Sequence, residues 1–146
     1  MEFFGKNSIF KIYSKLSEHL LKWLLIAVVV GIFVGSASAL LLESLYFVTD
    51  LREGNTWIIN FLPLAGLFIG LLYYYWGKSV VKGNNLLLEE IHSPKDIIPL
   101  KMAPLVYIGT VITHLFGGSA GREGTAIQMG GALADQIIKI FKFDKE

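Results

Sequence analysis

The apolar run at residues 23–49 constrains this chain most, because it contains a single charged residue, Glu43. As a helix that rises about 1.5 Å per residue, the run reaches roughly 40 Å, which is enough to cross a bilayer with some tilt. A second uncharged run at residues 57–76 also has the length of a span and ends in aromatic residues typical of the membrane interface. Because backbone groups inside a bilayer must bond to one another, both runs are predicted to be α-helices.

The composition agrees with a membrane protein. Hydrophobic residues make up 53% of the chain and charged residues 17%, whereas soluble domains carry about 25% charged residues. The net charge of +1 argues against a nucleic-acid partner, which would require many phosphates to be neutralised. The chain has no cysteine, its three histidines share no metal-ligand spacing, and no nucleophile has a base beside it. We therefore expect no metal, no cofactor and no enzymatic activity.

Basic residues set the expected orientation in the membrane. Residues 1–22 have the spacing of a basic amphipathic helix lying on the membrane surface, and only Arg52 is basic in the polar loop at residues 50–56. The positive-inside rule then places the N-terminus in the cytoplasm of a multi-pass cell-membrane protein. A signal peptide is the alternative for the N-terminus, but the following apolar run is long and no cleavage site closes it. The lysines on the cytoplasmic side are Lys6, Lys11, Lys15, Lys22, Lys78 and Lys82.

The remaining helices are shorter or broken. The segment at residues 83–92 is too short to span the membrane. It is predicted to form a short helix with Asn84 or Asn85 as its N-cap. A short capped helix beside a membrane is typical of a broken or re-entrant element. Residues 97–116 and 123–141 are predicted to be two further membrane helices, which makes the fold class all-α.

A glycine-rich, charged stretch, Gly117–Thr125, separates those last two helices. Charge at membrane depth is expensive, so the stretch requires a functional reason. A helix that begins inside the membrane leaves several N–H groups without partners and carries partial positive charge at that end. An anion bound there would receive several donors at once, and glycines let the backbone approach it closely.

Glu123 is the candidate gating group in this stretch. A carboxylate near a helix N-terminus competes with a free anion for one site, and its protonation would release that site and couple anion occupancy to proton movement. Nucleotide binding fits less well, because the stretch lacks the Gly-Lys-Ser/Thr of a phosphate-binding loop and the spacing of a dinucleotide fingerprint. Helix packing alone would account for Gly117 and Gly121 but not for the charged pair that follows.

The motif Gly121-Arg122-Glu123-Gly124-Thr125, followed by Ala-Ile-Gln-Met-Gly-Gly, resembles the Gly-Lys/Arg-Glu-Gly-Pro signature of the CLC chloride channel and transporter family. The order of the helices agrees as well. The resemblance implies an inverted-repeat fold with broken helices and a homodimer with one pore in each subunit. It also implies that Glu123 is the gating, proton-linked glutamate and that Gly121, Arg122 and Gly124 form its anion-binding loop.

Two departures from the family pattern bear on the ion. Chloride-type members carry Gly-Ser-Gly-Ile-Pro where this chain has Gly83-Asn84-Asn85-Leu86-Leu87, and they carry proline where it has Thr125. Both changes resemble the fluoride-exporting branch, which exchanges fluoride for protons. The expected function is fluoride/proton antiport; a chloride channel or a chloride/proton exchanger is the alternative. The anion-binding residues on this interpretation are Gly83, Asn84, Asn85, Gly121, Arg122, Gly124 and Thr125.

A full family member is much longer than this chain. The second half of the inverted repeat is missing, and with it the remaining anion-coordinating helix start. The chain is therefore expected to be the N-terminal part of a membrane domain over residues 1–146, and not to transport alone. A truncated, inactive fragment is the alternative.

Overall fold

A computed structural model describes residues 6–93 and 97–141 of the chain. These residues form five α-helices and one 3₁₀-helix, with no strand among them, so the all-α prediction is confirmed. The elements are α1 (Lys6–Gly54), a 3₁₀-helix (Thr56–Phe61), α2 (Leu62–Trp76), α3 (Asn84–His92), α4 (Met102–Leu115) and α5 (Arg122–Ile140).

α1 is one continuous helix where the sequence predicted a surface helix at 1–22, a span at 23–49 and a loop at 50–56. Residues 1–5 lie outside the described residues. Nothing at the expected boundary interrupts the helix, because no glycine or proline lies near residue 22. α1 ends just before Asn55, which bonds to two carbonyls of the last turn. The Nδ2 of Asn55 donates to the carbonyl oxygen of Leu51 at 3.0 Å, and the N–H of Asn55 donates to the carbonyl oxygen of Arg52 at 3.0 Å.

The second predicted span divides into the 3₁₀-helix and α2, and Pro63 explains the division. Pro63 lies in the first turn of α2, where a missing N–H costs least. The preceding turn therefore cannot continue as an α-helix through Pro63. It closes with the tighter bond from the N–H of Leu62 to the carbonyl of Ile59.

α4 begins at Met102, later than the predicted start at residue 97. Ile98 precedes Pro99, and a residue before proline is disfavoured in helical conformation. Ile98 also uses both of its backbone groups elsewhere. Its N–H donates to Oδ2 of Asp135 at 2.7 Å, and its carbonyl accepts from Nε2 of Gln136 at 2.9 Å. The segment before α4 is thus held against α5 as extended chain.

The core lies where α1, α4 and α5 meet. Its fully buried side chains are Leu41 of α1, Met102 of α4 and Val80 of the α2–α3 connection, and Met129 and Ala132 of α5 pack with them. A hydroxyl pair between Ser44 and Tyr107, 2.5 Å apart, links α1 to α4. This packing places the start of α5 beside the end of α4.

Most of α1 and α2 faces outward. The two stretches long and apolar enough to cross a membrane are Lys11–Gly54 and Thr56–Trp76, and only 11% and 6% of their most apolar windows are buried. A core helix of a soluble protein would be mostly buried, so these surfaces suit lipid or further protein. The glycines on these helices agree with this: a Cβ added at Gly31, Gly35, Gly66 or Gly70 would meet nothing within 4 Å in the described part of the chain, so another helix could approach closely there.

Gly131 of α5, in contrast, is needed for packing. A Cβ there would lie 2.4 Å from Cδ2 and 3.1 Å from Cγ of Leu87, which is 7% exposed and has little room to move. We expect Gly131→Ala to destabilise the protein by about 1–3 kcal/mol through overpacking. Gly31→Ala, the matched control on an open helix face, should be neutral or stabilising by up to about 1 kcal/mol. Thermal unfolding in detergent, followed by circular dichroism, measures both.

Gly131→Ala should cost less stability in a Leu87→Ala background than in the wild-type protein, because the smaller side chain at residue 87 frees space for the new methyl group. Equal destabilisation by Gly131→Ala and Gly31→Ala would contradict the α3–α5 packing described.

Candidate functional site

α3 and α5 both begin at a glycine N-cap that no side chain caps, at Gly83 and Gly121. In α5 the first backbone bond runs from the N–H of Thr125 to the carbonyl of Gly121, at 3.2 Å. The N–H groups of Arg122, Glu123 and Gly124 come before it, and the first N–H groups of a helix have no partner within the helix. The positive end of the α5 dipole is therefore open.

The prediction that Asn84 or Asn85 caps α3 is wrong. Gly83 is the N-cap, with φ 56° and ψ −126°, a conformation that glycine adopts far more readily than other residues. Asn84 and Asn85 are the first two residues of the helix, and both are exposed. Their side chains make no capping hydrogen bond, but the N–H groups of Asn85 and Leu86 bond to the carbonyls of Lys82 and Gly83 at 3.1 Å each. The N–H of Asn84 is left without a backbone acceptor among the described residues.

The two helix starts contact each other through glycines. A Cβ on Gly124 in the first turn of α5 would lie 3.4 Å from Nδ2 of Asn84. A Cβ on Gly83 would lie 3.4 Å from Nε2 and 3.6 Å from Oε1 of Gln128, one turn further along α5. Each helix start thus receives a carboxamide from the other. Three of the predicted residues, Gly83, Asn84 and Gly124, are thus brought together with Gln128, although α3 and α5 are far apart in sequence.

Glu123 and Arg122 lie in the first turn of α5 with exposed side chains. No hydrogen bond or ion pair to either is found among the described residues. A carboxylate in the first turn is stabilised by the helix dipole without direct capping. Gly121 is equally open, since a Cβ there would meet nothing within 4 Å. The site therefore faces away from the rest of the described chain.

Thr125 is placed differently, because its hydroxyl is buried against α4. Its Oγ1 lies 3.0 Å from the Gly121 carbonyl oxygen and 2.7 Å from Oγ1 of Thr110, and both threonines are 6% exposed. A carbonyl only accepts, so the single Thr125 hydroxyl proton goes to Gly121. Thr110 must then donate to Thr125, which gives a directed chain from α4 through Thr125 to the start of α5.

These hydrogen bonds leave Thr125 no donor for an anion, because its N–H also bonds to the carbonyl of Gly121. In this arrangement Thr125 fixes the first turn of α5 while the backbone around Glu123 remains open. Thr110 is a functional residue that the sequence interpretation missed. No pattern in the chain pairs it with a residue in the next helix, and only the packing of α4 on α5 reveals the bond.

His114 in the last turn of α4 bonds to its own helix. Its Nδ1 lies 2.9 Å from the carbonyl oxygen of Thr110 and therefore carries the proton. In the described ranges, no cluster of three or more His, Asp or Glu could hold a metal ion.

An apolar pocket of about 260 Å³ lies further along α3 and α5, between Leu87, Ile98 and Gly131. It does not reach Gly83 or Glu123, and its polar lining includes the carboxyl groups of Glu90 and Asp135. Carboxylates repel an anion, so the pocket is separate from the site at the helix starts.

The chain is similar in sequence to known proteins. A model of the voltage-gated chloride channel family matches residues 65–146. A chloride/fluoride channel protein of Pseudomonas syringae pv. tomato is 54% identical over 131 residues, which cover 90% of this chain and 29% of that protein. An uncharacterised protein of Methanocaldococcus jannaschii is 25% identical over 124 residues, which cover 84% of this chain and 30% of its own length. The chain thus spans about three-tenths of the curated relatives that it matches.

The directed chain of hydroxyls predicts unequal effects for its two members. Thr125→Val leaves the buried Thr110 hydroxyl without an acceptor and should destabilise the protein by about 1–3 kcal/mol. Thr110→Val leaves the Thr125–Gly121 bond in place and should cost about 1 kcal/mol or less. Thermal unfolding in detergent compares them.

The double variant should lose no more stability than Thr125→Val alone, because the second substitution removes the hydroxyl that the first leaves unpaired. Thr125→Ser keeps the hydroxyl and serves as the control. Additive losses in the double variant would contradict the bond between the two hydroxyls, and equal losses in the two single variants would contradict its direction.

Proposed function

Because the chain belongs to the voltage-gated chloride channel family, whose model matches residues 65–146, we propose that it forms the N-terminal part of a membrane anion transporter. The chain covers 29% and 30% of two relatives, so transport in this proposal belongs to the longer protein and the helices here supply part of its pathway. An inactive fragment is the alternative that this short coverage favours.

The meeting of two open helix starts carries the proposal. α3 and α5 both begin at uncapped glycines, and their first turns contact each other. The free N–H groups at the start of α5, the N–H of Asn84 in α3 and the positive ends of both helix dipoles then act on one place. This is how the ends of broken helices hold anions in membrane transporters.

Each residue has a role in this proposal. Gly83 and Gly121 expose the backbone at the two starts, and Asn84 adds carboxamide donors beside Gly124. Asn85 and Arg122 line the exposed approach with polar and positive groups. Thr125 acts by holding the α5 start. Glu123 occupies the anion position when ionised and leaves it when protonated, which links anion release to proton movement.

Fluoride is the anion we propose, with exchange against protons. The Pseudomonas relative is named a chloride/fluoride channel protein, and this chain has Asn84 and Thr125 in place of the serine and proline of the chloride-type pattern that it resembles. A carboxamide offers two N–H donors where a serine hydroxyl offers one, which suits a small anion that must exchange many water contacts. Chloride transport is the second candidate, because the name of that relative includes it.

The proposed topology is a multi-pass protein with a cytoplasmic N-terminus, acting as a homodimer when full length. Lys11–Gly54 extends well beyond a hydrocarbon core of about 30 Å, so part of α1 must lie outside it. Lys11, Lys15 and Lys22 fall at i, i+4 and i+11, on one helix face, and are exposed. This basic part of α1 suits the cytoplasmic membrane surface.

The role of Glu123 is tested by Glu123→Gln in the full-length protein reconstituted into liposomes. The amide cannot ionise, so we expect fluoride flux to lose its link to protons. A fluoride electrode and a pH-sensitive dye, read together, give the proton-to-anion ratio.

Glu43→Gln is the matched control, because Glu43 is also exposed but lies on α1 away from the site. We expect it to transport as wild type, and residues 1–146 alone to give no flux. A Glu123→Gln protein that still moves protons with fluoride at the wild-type ratio would contradict the proposed role.

A further inference from the structure

Arg52, near the end of α1, reaches the end of α4. Its Nη1 donates to the carbonyl oxygen of His114 at 3.1 Å, and its side chain is only 22% exposed. The same carbonyl accepts the N–H of Gly117 at 3.1 Å. One carbonyl therefore joins Arg52 to the first residue of the glycine-rich segment, which we call the 117–121 loop.

The stem of Arg52 also packs on this loop. Gly117 has φ +83°, in the left-handed region, and a Cβ there would lie 3.7 Å from Cδ of Arg52 and 3.1 Å from Cγ1 of Ile59. The loop thus begins in a conformation that favours glycine and lies directly against Arg52. Moving the arginine would remove a hydrogen bond and a packing contact at the same point.

Electrostatics favour this position. A guanidinium at the C-terminal end of a helix is attracted by the partial negative charge of the last carbonyls, and its bond to a carbonyl is charge-assisted. Glu53 lies 3.7 Å away but is 68% exposed, so that ion pair contributes little. The end of α4, and not the neighbouring carboxylate, holds Arg52 in place.

The other end of the 117–121 loop is fixed as well. The Gly121 carbonyl accepts both the hydroxyl and the N–H of Thr125, at 3.0 Å and 3.2 Å. The N–H of Gly118 also bonds to the carbonyl of Thr113 at 2.8 Å, so only Ser119 and Ala120 separate the two fixed ends, and Glu123 follows Gly121 by two residues. A change at the front of the loop would therefore be carried to the first turn of α5.

We propose that Arg52 is a positioning residue for Glu123: it holds the front of the 117–121 loop on α4 and so keeps the α5 start in its place. The inference rests on the proposed transport function. It concerns a residue on a different helix, 71 positions before the glutamate in the chain.

The test uses Arg52→Gln and Arg52→Lys in the full-length protein. Hydrogen exchange followed by mass spectrometry reports the opening of residues 117–121, and liposome flux gives the proton-to-anion ratio. We expect Arg52→Gln to speed exchange in the loop about tenfold or more, as for a lost hydrogen bond to a charged group, and to lower the ratio. Arg52→Lys keeps the charge without the planar fork and should fall between wild type and Arg52→Gln in both measurements.

Lys78→Gln is the control for loss of one positive charge, since Lys78 is exposed and its contact is with the ring of Tyr74. It should leave loop exchange and the ratio unchanged. Wild-type loop exchange in Arg52→Gln would overturn the proposal. Faster exchange with an unchanged ratio would also overturn it, by limiting Arg52 to a structural role. If the wild-type protein moves fluoride without protons, the proposed function fails, and loop exchange still decides whether Arg52 holds the loop.

Discussion

The parallel contact between α3 and α5 is the constraint on which the site depends. Three contacts join the helices. Leu87 fills the space that a side chain on Gly131 would need. Asn84 lies against Gly124, and Gln128 lies against Gly83. The contact at Gly131 leaves no room for a Cβ, and the positive φ of Gly83 favours glycine there. Together the three contacts set both helices side by side with their N-termini together. The contact thereby brings together the partially positive ends of two helices, which is the basis of the proposed anion site.

The start of α5 is held by hydrogen bonds to α1 and α4, away from the proposed anion site. Thr110 donates to Thr125, Thr125 donates to Gly121, and Arg52 holds the other end of the loop through the His114 carbonyl. Buried hydrogen bonds of this kind are costly to leave unmade, so they define one loop conformation. Glu123 is exposed, as the gating role proposed for it requires.

Sequence patterns predicted the features that depend on local chemistry. The apolar runs, the short third helix and the glycine-rich start of α5 all follow from length, hydropathy and turn residues. The patterns failed where tertiary contacts decide. Ile98 stays extended because Asp135 and Gln136 bind its backbone, and α1 continues because nothing breaks it. Arg-Glu-Gly occurs twice, at residues 52–54 and 122–124. The same three residues end one helix, with arginine turned inward, and begin another, with arginine exposed; only packing distinguishes them.

The central claim, that the starts of α3 and α5 together bind an anion, is tested most directly by paired cysteines in the full-length protein. Residues 1–146 contain no cysteine, so Asn84→Cys with Gly124→Cys gives a clean background for disulfide formation once any cysteine elsewhere in the full-length protein is replaced by serine. The described geometry predicts rapid cross-linking in membranes, slowed by fluoride in a saturable manner. Asn84→Cys with Lys139→Cys, at the far end of α5, should not cross-link. Absence of cross-linking in the first pair, or a rate that fluoride and chloride leave unchanged, would contradict the account.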